Sequence, residues 1–399
     1  MITKDALYKS ESECCGCGSC ADVCPKSVLS MREDKSGFLY PVVEHGESCV
    51  DCKLCIGVCP EKNYQTVSSG FTDFYAGYIE NEKELISCAS GGLATALAKK
   101  FLYNGGVVYG CSYSEDWRSV EYIKATNESE INRLKTSKYA QSAKGNVYHQ
   151  IIDDLNSGIK VLFIGLPCEV LSVRVRIPRQ LQESLYLVEL VCHGPTSQKV
   201  HRQYLDIVAA KNDDLVYFST REKKNGEWKP FYICAKYKNG ITVYEQFHKS
   251  AYGAAFRYLK RPSCYSCQIK GEHLAGDLMI GDYHYVENGM KGYNRHGVSS
   301  ALVHNPKGKA LLDGIEGVGF HLVEINRRGA LGNGAITKAI PAPDRQLQFR
   351  RVFESEGLNK ASKQGFVRKS NVQRALKETI MHYGVIVKRI LVPSSRPHD

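Results

Sequence analysis

The chain has 399 residues, 43% of them hydrophobic, with 53 Lys and Arg against 42 Asp and Glu and a formal net charge of +11. That composition supports one large core or two. Its sixteen cysteines do not make it a secreted disulfide scaffold, because that pattern belongs to short exported chains, whereas Met1 to Ser10 has no apolar core flanked by basic residues. No apolar run reaches the roughly 18 residues of a membrane helix, so a cytoplasmic protein without a transmembrane segment is expected. Zinc-finger, helix-turn-helix and RNA-binding signatures are absent as well, and the positive charge is read as a solvated surface or a dock for an acidic redox partner, not for nucleic acid.

The first sixty residues carry two copies of CxxCxxCxxxCP: Cys14, Cys17, Cys20, Cys24 and Pro25, then Cys49, Cys52, Cys55, Cys59 and Pro60. Three thiolates at this spacing wrap one [4Fe–4S] cube from a tight loop, and the fourth reaches the neighbouring cube. Cluster one is therefore assigned Cys14, Cys17, Cys20 and Cys59, and cluster two Cys49, Cys52, Cys55 and Cys24. Zinc sites favour paired CxxC motifs instead. Cys15 is left over as a thiol beside the first cluster. Between the motifs, Ser30 to His45 reads as a hairpin turning at Asp34 to Gly37, which suits a βαββαβ ferredoxin-like domain over residues 1–70. Glu61 to Gly70 reads as its linker.

From Phe71 strands and helices alternate. Tyr75 to Glu80, Gly105 to Tyr113, Val161 to Leu166 and Leu185 to Val191 read as strands; Gly91 to Asn104, Val147 to Leu155 and Ser197 to about Ala209 read as helices. This pattern gives an α/β layered domain, residues 71–345, with a largely parallel or mixed sheet. Leu215 to Ser219, Pro230 to Tyr237 and Ile241 to Phe247 look antiparallel. Residues 346–399 read as a basic, mainly helical C-terminal segment.

Two of the strands end in cysteine: Cys168 follows Val161 to Leu166, and Cys192, with His193, follows Leu185 to Val191. Parallel strands would bring both to the carboxyl edge, where open α/β sheets bind ligands. Cys264 and Cys267 add a CxxC turn ahead of the strand Asp277 to Asp282. Four converging thiolates suit a third [4Fe–4S] cluster or zinc. Cys88, Cys111 and Cys234 stand singly and read as small buried hydrophobes. His193 reads as a hydrogen-bonding neighbour of the cluster or a proton donor. Ser87 to Gly92 (SCASGG) leads into a helix, where small residues let backbone N–H groups approach a phosphate or simply cap the helix. Thr136 to Ser142 (TSKYAQS) reads as a phosphate clamp or a polar loop. Neither a GxGxxG after a strand nor a P-loop is present.

Across Phe71 to Phe349 the chain resembles the family of coenzyme F420 hydrogenase and dehydrogenase beta subunits. The resemblance rests on SCASGG, TSKYAQS, FIGLPCE (Phe163 to Glu169), CHGPTS (Cys192 to Ser197), RPSCYSCQIK (Arg261 to Lys270) and DLMIGDYH (Asp277 to His284). It implies an FAD protein with an iron–sulfur cluster near the flavin, and FAD held by Ser90, Gly91, Gly92, Ser137, Lys138, Tyr139, Gln141 and Ser142. Members commonly have Ser at the position of Cys88 and Gln at that of Glu169. The expected function is an oxidoreductase that passes electrons between the clusters and FAD, which exchanges hydride with a small organic substrate or an F420-like deazaflavin. Ferredoxin or another redox protein is the expected partner. The alternative is an electron-transfer subunit that docks a partner protein and has no organic substrate of its own.

Overall fold

A computed structural model describes residues 2–64, 70–209, 214–271 and 275–364. In the head, β1 (Leu29–Glu33) and β2 (Leu39–Val43) pair antiparallel about the turn at Gly37, whose φ of +81° suits glycine. Short helices, Ser19–Asp22 and Leu54–Gly57, follow the cysteine loops. The outer strands of the ferredoxin plan differ from expectation. Where the first would lie, Lys4–Leu7 forms a helical turn, because the Thr3 side chain accepts from the Ala6 N–H and caps it. Of the expected linker, residues 61–63 continue the helix Pro60–Asn63, started by a proline at its first position, and residues 65–69 lie outside the described residues.

The second unit is built on an eight-stranded mixed sheet. In chain order its strands are β3 (Asp73–Ile79), β4 (Val107–Tyr113), β5 (Val120–Ala125), β6 (Val161–Gly165), β7 (Leu185–Leu190), β11 (Leu278–Asp282), β12 (Ser299–Val303) and β13 (Phe320–Glu324). Across the sheet they run β13-β3-β12-β11-β7-β6-β4-β5. The central four, β11, β7, β6 and β4, are mutually parallel, and the outer strands are antiparallel to their neighbours. β6 is buried at every position, as a parallel strand covered on both faces must be. Leu162 and Ile164 join Leu93, Leu97 and Phe101 of the helix Leu93–Tyr103 on one face, whereas Val161 and Phe163 join Val147, Ile151, Val170 and Val173 on the other. A separate three-stranded antiparallel sheet holds β8 (Leu215–Glu222), β9 (Tyr232–Tyr237) and β10 (Thr242–Gln246).

Head and second unit share one core. Ile2, Leu7, Phe38 and Tyr40 pack in the same apolar cluster as Val200, Tyr204, Phe247, Phe349 and Phe353. Polar contacts join the same faces: Tyr148 donates to the Cys17 carbonyl at 2.9 Å, and Arg176 and Arg202 pair with Asp22 and Glu33. Residues 346–364 therefore do not begin a detached tail. The helix Gln346–Glu356 buries Phe349 and Phe353 completely, each worth roughly 1.5–3 kcal/mol of burial, and its Arg350 pairs with Glu11 of the head. The remainder of the expected basic segment, residues 365–399, lies outside the described residues. Among the described residues no helix is long and apolar enough to cross a membrane.

Candidate functional site

The head thiols fall into two sets. Cys14, Cys17, Cys20 and Cys59 line one small gap, together with Cys15 and Cys55, and each of Cys14, Cys20 and Cys59 is perturbed by charge on other thiols of this lining. Cys24, Cys49, Cys52 and Cys55 line a second gap nearer the surface. Each loop thus sends its last cysteine, Cys24 or Cys59, to the other loop's gap, and Cys55 faces both. Burial and mutual repulsion push Cys14 up to about 12 and Cys59 to about 11. Backbone N–H groups aim at sulfur in the outer set, from Ile2 to Cys49 at 3.4 Å and from Val28 to Cys24 at 3.3 Å. Cys52 is exposed and Cys17 buried, so the two gaps differ in access to solvent.

Cys168, Cys192, Cys264 and Cys267 also come together. Cys168 sits at the start of the helix Pro167–Arg176 behind β6, Cys192 just past β7, Cys264 in the turn Pro262–Tyr265 and Cys267 after it. The Cys264 thiol is pushed well up by burial and then by charge on Cys192, Cys168 and Cys267. Burial likewise raises Cys192 to about 11 and Cys267 to about 12. Gly194, at φ +88°, lets the chain after Cys192 fold against this turn; a Cβ there would stand 3.0 Å from that of Cys264. The Gly194 N–H donates to the Cys192 sulfur at 3.2 Å. Among the described residues no group of three or more His, Cys, Asp or Glu closes on one point as a single ion requires.

Beside this third thiol set, the carboxyl ends of β4, β6, β7 and β11 open on a cavity of about 430 Å³, within the roughly 300–1,000 Å³ typical of small-molecule sites. The helix Leu93–Tyr103 points its uncapped amino end at it, which favours an anionic group. Arg221 lines the wall, fully buried, and donates to Tyr139 Oη (3.0 Å), Ala89 O (2.9 Å) and Asp282 Oδ2 (3.0 Å). Its Nε–H has no partner among the described residues, a costly state for a buried donor unless a ligand accepts from it. Burial pushes Lys138 down to about 8 and His193 to about 4; Lys260 and Lys270 also disfavour protonation of His193, leaving a neutral imidazole in the wall.

Of the residues expected to hold FAD, Ser90, Gly92, Ser137, Lys138, Tyr139 and Ser142 line this cavity, whereas Gly91 and Gln141 do not. Gly91 packs against strands, since a Cβ would lie 2.2 Å from Gly77 O and 2.4 Å from Ser299 N. Gln141 turns to the head, donating to Gly16 O at 3.0 Å and accepting from Leu39 N at 3.2 Å. Lys138 is engaged by loop carbonyls, those of Lys135 (2.6 Å) and Arg133 (2.9 Å). No motif surrounds Arg221, so the sequence does not single it out. The only signal for it is an arginine at the end of an otherwise β-patterned run.

Two family models match the chain. One describes a 4Fe-4S dicluster domain and covers residues 13–63; the other describes the C terminus of the beta subunit in coenzyme F420 hydrogenase/dehydrogenase and covers residues 158–326. The chain is similar to this beta-subunit family over residues 158–326. Among its relatives, the coenzyme F420-dependent sulfite reductase of Methanocaldococcus jannaschii is 26% identical over 307 residues, which cover 65% of this chain and 45% of that protein. The F subunit in the F420H2 dehydrogenase of Methanosarcina mazei is 21% identical over 213 residues, 48% of this chain and 56% of that one. An uncharacterized ferredoxin of Methanocaldococcus jannaschii is 46% identical over 56 residues, 14% of this chain and 68% of the ferredoxin. The chain spans about half the length of the first two relatives. Its head is an iron–sulfur electron-transfer domain of the two-cluster kind.

Glu169, where the family commonly has Gln, is buried beside Cys168. It accepts from Lys144 (2.5 Å), Ser142 (2.9 Å), Tyr122 (2.6 Å) and the Leu166 N–H (2.9 Å). Burial alone would raise its carboxyl, but Lys144 and these donors hold it below the usual range. The second departure, Cys88, is buried in the cavity wall against Thr95.

Proposed function

We propose that the chain is an iron–sulfur flavoprotein oxidoreductase that passes electrons between the two head clusters and FAD. A third [4Fe–4S] cluster on Cys168, Cys192, Cys264 and Cys267 stands between them. The observation that carries this reading is the cavity at the strand ends, with a buried Arg221 Nε–H that has no partner among the described residues in its wall, and Cys192, whose charge bears on the Cys264 thiol, in its lining. FAD supplies the conversion between single electrons and electron pairs, and so hydride exchange with a small organic substrate or an F420-like deazaflavin.

The chain's own residues suit that cofactor. The uncapped helix start after Gly92 and the Arg221 guanidinium suit an anion, while Tyr139, its ring tilted against those of Phe256 at 4.5 Å and Phe247 at 5.0 Å, gives the cavity an aromatic wall. His193 offers a neutral ring nitrogen beside Cys192. At the outer end, Cys52 with Val50 and Leu54, 59% and 46% exposed, presents the second head site to ferredoxin or another redox protein.

Anaerobic purification tests the whole reading. A brown protein with about twelve irons per chain and one FAD released on denaturation is expected. A brown, flavin-free protein that reduces no organic substrate would instead make it a pure electron-transfer subunit. A colourless, folded, iron-free preparation would overturn both.

A further inference from the structure

Arg261 bridges the head and the segment that supplies the third thiol set. Its backbone carbonyl accepts from the Cys264 N–H at 2.9 Å and starts the turn Pro262–Tyr265 that carries this cysteine. Its side chain reaches back into the head and donates to Cys14 O (3.2 Å) and Leu39 O (2.6 Å), with the guanidinium 4.3 Å from the Tyr40 ring centre. Arg261 is only 2% exposed, and a cation buried this deeply is costly unless its donors are matched.

Gln141 braces the same loop from the second unit. Its Oε1 accepts from Arg261 Nη2 at 2.7 Å and from the Leu39 N–H at 3.2 Å, and its Nε2 donates to Gly16 O at 3.0 Å. Its own N–H donates to Thr196 O at 2.8 Å, four residues past Cys192, so the brace is anchored on a second segment that supplies the third set. The joint leaves no slack: Gly16 has a left-handed φ of +69°, and a Cβ there would stand 2.3 Å from Arg261 and 2.4 Å from Gln141. The flanks close in the same way. The turn Glu11–Glu13, just before Cys14, packs on Pro262–Tyr265, and Pro60–Asn63, just after Cys59, packs on Pro167–Arg176, which carries Cys168. Units of one chain move against each other by default, and this keyed contact opposes such motion at the inner head site.

We propose that Arg261 is a positioning residue for electron transfer: braced by Gln141, it holds the inner head site against the third site at one fixed separation, so that the head is a static relay and not a swinging carrier. This rests on the third cluster of the proposed function. The step it serves passes one electron from the inner head cluster, which is oxidised, to the third, which is reduced, or the reverse, and no bond forms or breaks in it. Arg261 acts through the backbone that it holds and not as a ligand.

The test is paramagnetic resonance of the full-length holoprotein reduced anaerobically with dithionite, in a Cys52→Ser background that removes the outer head cluster and leaves about eight irons per chain. Two reduced clusters held close split each other's signals, and the splitting falls steeply with separation. Arg261→Lys keeps the charge but not a planar fork that reaches Cys14 O, Leu39 O and Gln141 at once. At about eight irons its split signal should collapse to two separate ones. Arg202→Gln, which breaks the partly exposed pair with Glu33 at the same interface, should leave the splitting unchanged. Gln141→Leu keeps both bonds from Arg261 to head carbonyls and touches no thiol; it should weaken the splitting in the same direction, and it carries the test should Arg261→Lys lose iron. An unsplit signal in the background protein, an unchanged one in the Arg261 and Gln141 variants at about eight irons, or an equal loss in Arg202→Gln would each overturn the proposal alone. About eight irons in the protein with Cys52 intact would remove the third cluster, and with it the reading on which the proposal stands.

Discussion

Lys144 Nζ lies 2.5 Å from Glu169 Oε1, and both side chains are 6% exposed. A buried pair of this kind stabilises little as a pair, but removing one partner leaves the other charge stranded. Glu169→Gln should lower thermal stability by about 3 kcal/mol, and Lys144→Met in the same chain should restore most of it. Thermal unfolding of the two single variants and the double variant measures this. Equal losses that simply add would show that the pair is not coupled.

Arg221→Gln should weaken flavin retention by roughly 10- to 100-fold, the range of one charge-assisted hydrogen bond lost from a buried site. Equilibrium dialysis against free FAD reads it. Arg221→Lys should not rescue, because an ammonium does not reproduce a planar fork that reaches Tyr139, Ala89 and Asp282 at once.

Cys52→Ser should remove one head cluster, about four irons per chain, and stop exchange with ferredoxin while FAD stays bound. The residues proposed to hold flavin stand in the other unit, so loss of flavin here would show that the two units do not assemble their cofactors separately.

Gly194→Ala combines a left-handed φ of +88° with a Cβ placed 3.0 Å from Cys264 Cβ and Lys260 Cδ. The third site should lose its iron, with the count falling from about twelve to about eight, and the head spectrum should be unchanged. An unaltered iron count would show that the turn can yield.

Glu189 gives the pH dependence. Fully buried on β7, it accepts from the Ala275 and Gly276 N–H groups through Oε1, and Oε2 has no partner among the described residues. Burial pushes its carboxyl up to about 8. The unfolded chain ionises near the ordinary value of about 4.3, so the folded state binds the extra proton in between. Its stability contribution is complete below that value, falls as pH rises and is gone above about 8. Glu189→Gln should flatten the stability curve across this window, as read by denaturant unfolding at stepped pH.

The parallel core was legible in the sequence because its strands are apolar runs: VLFIG at β6 and LYLVEL at β7, broken only by Glu189, leave few other readings. Strands β5, β12 and β13 were not, since VEYIKA, SSALV and FHLVE gain their pairing only from neighbours distant in the chain. The cysteine spacing specified each loop of the head, and the hairpin between them formed where the glycine turn put it. The first head strand did not form, and a helical turn capped by Thr3 stands near the start instead. At the cavity, local motifs located the helix start and the loop Thr136 to Ser142, but spacing does not report which way a side chain turns. Gln141 faces the head for that reason, and Arg221 enters the wall from a sheet that carries no motif at all.

The contrast between an exposed Cys52 and a buried Cys17 sets an order of decay. Oxygen would meet the outer head cube before the inner one, so air damage should proceed from the tip inward. Bleaching would then be staged, and the first stage would cut the molecule off from its redox partner while its interior chemistry survived.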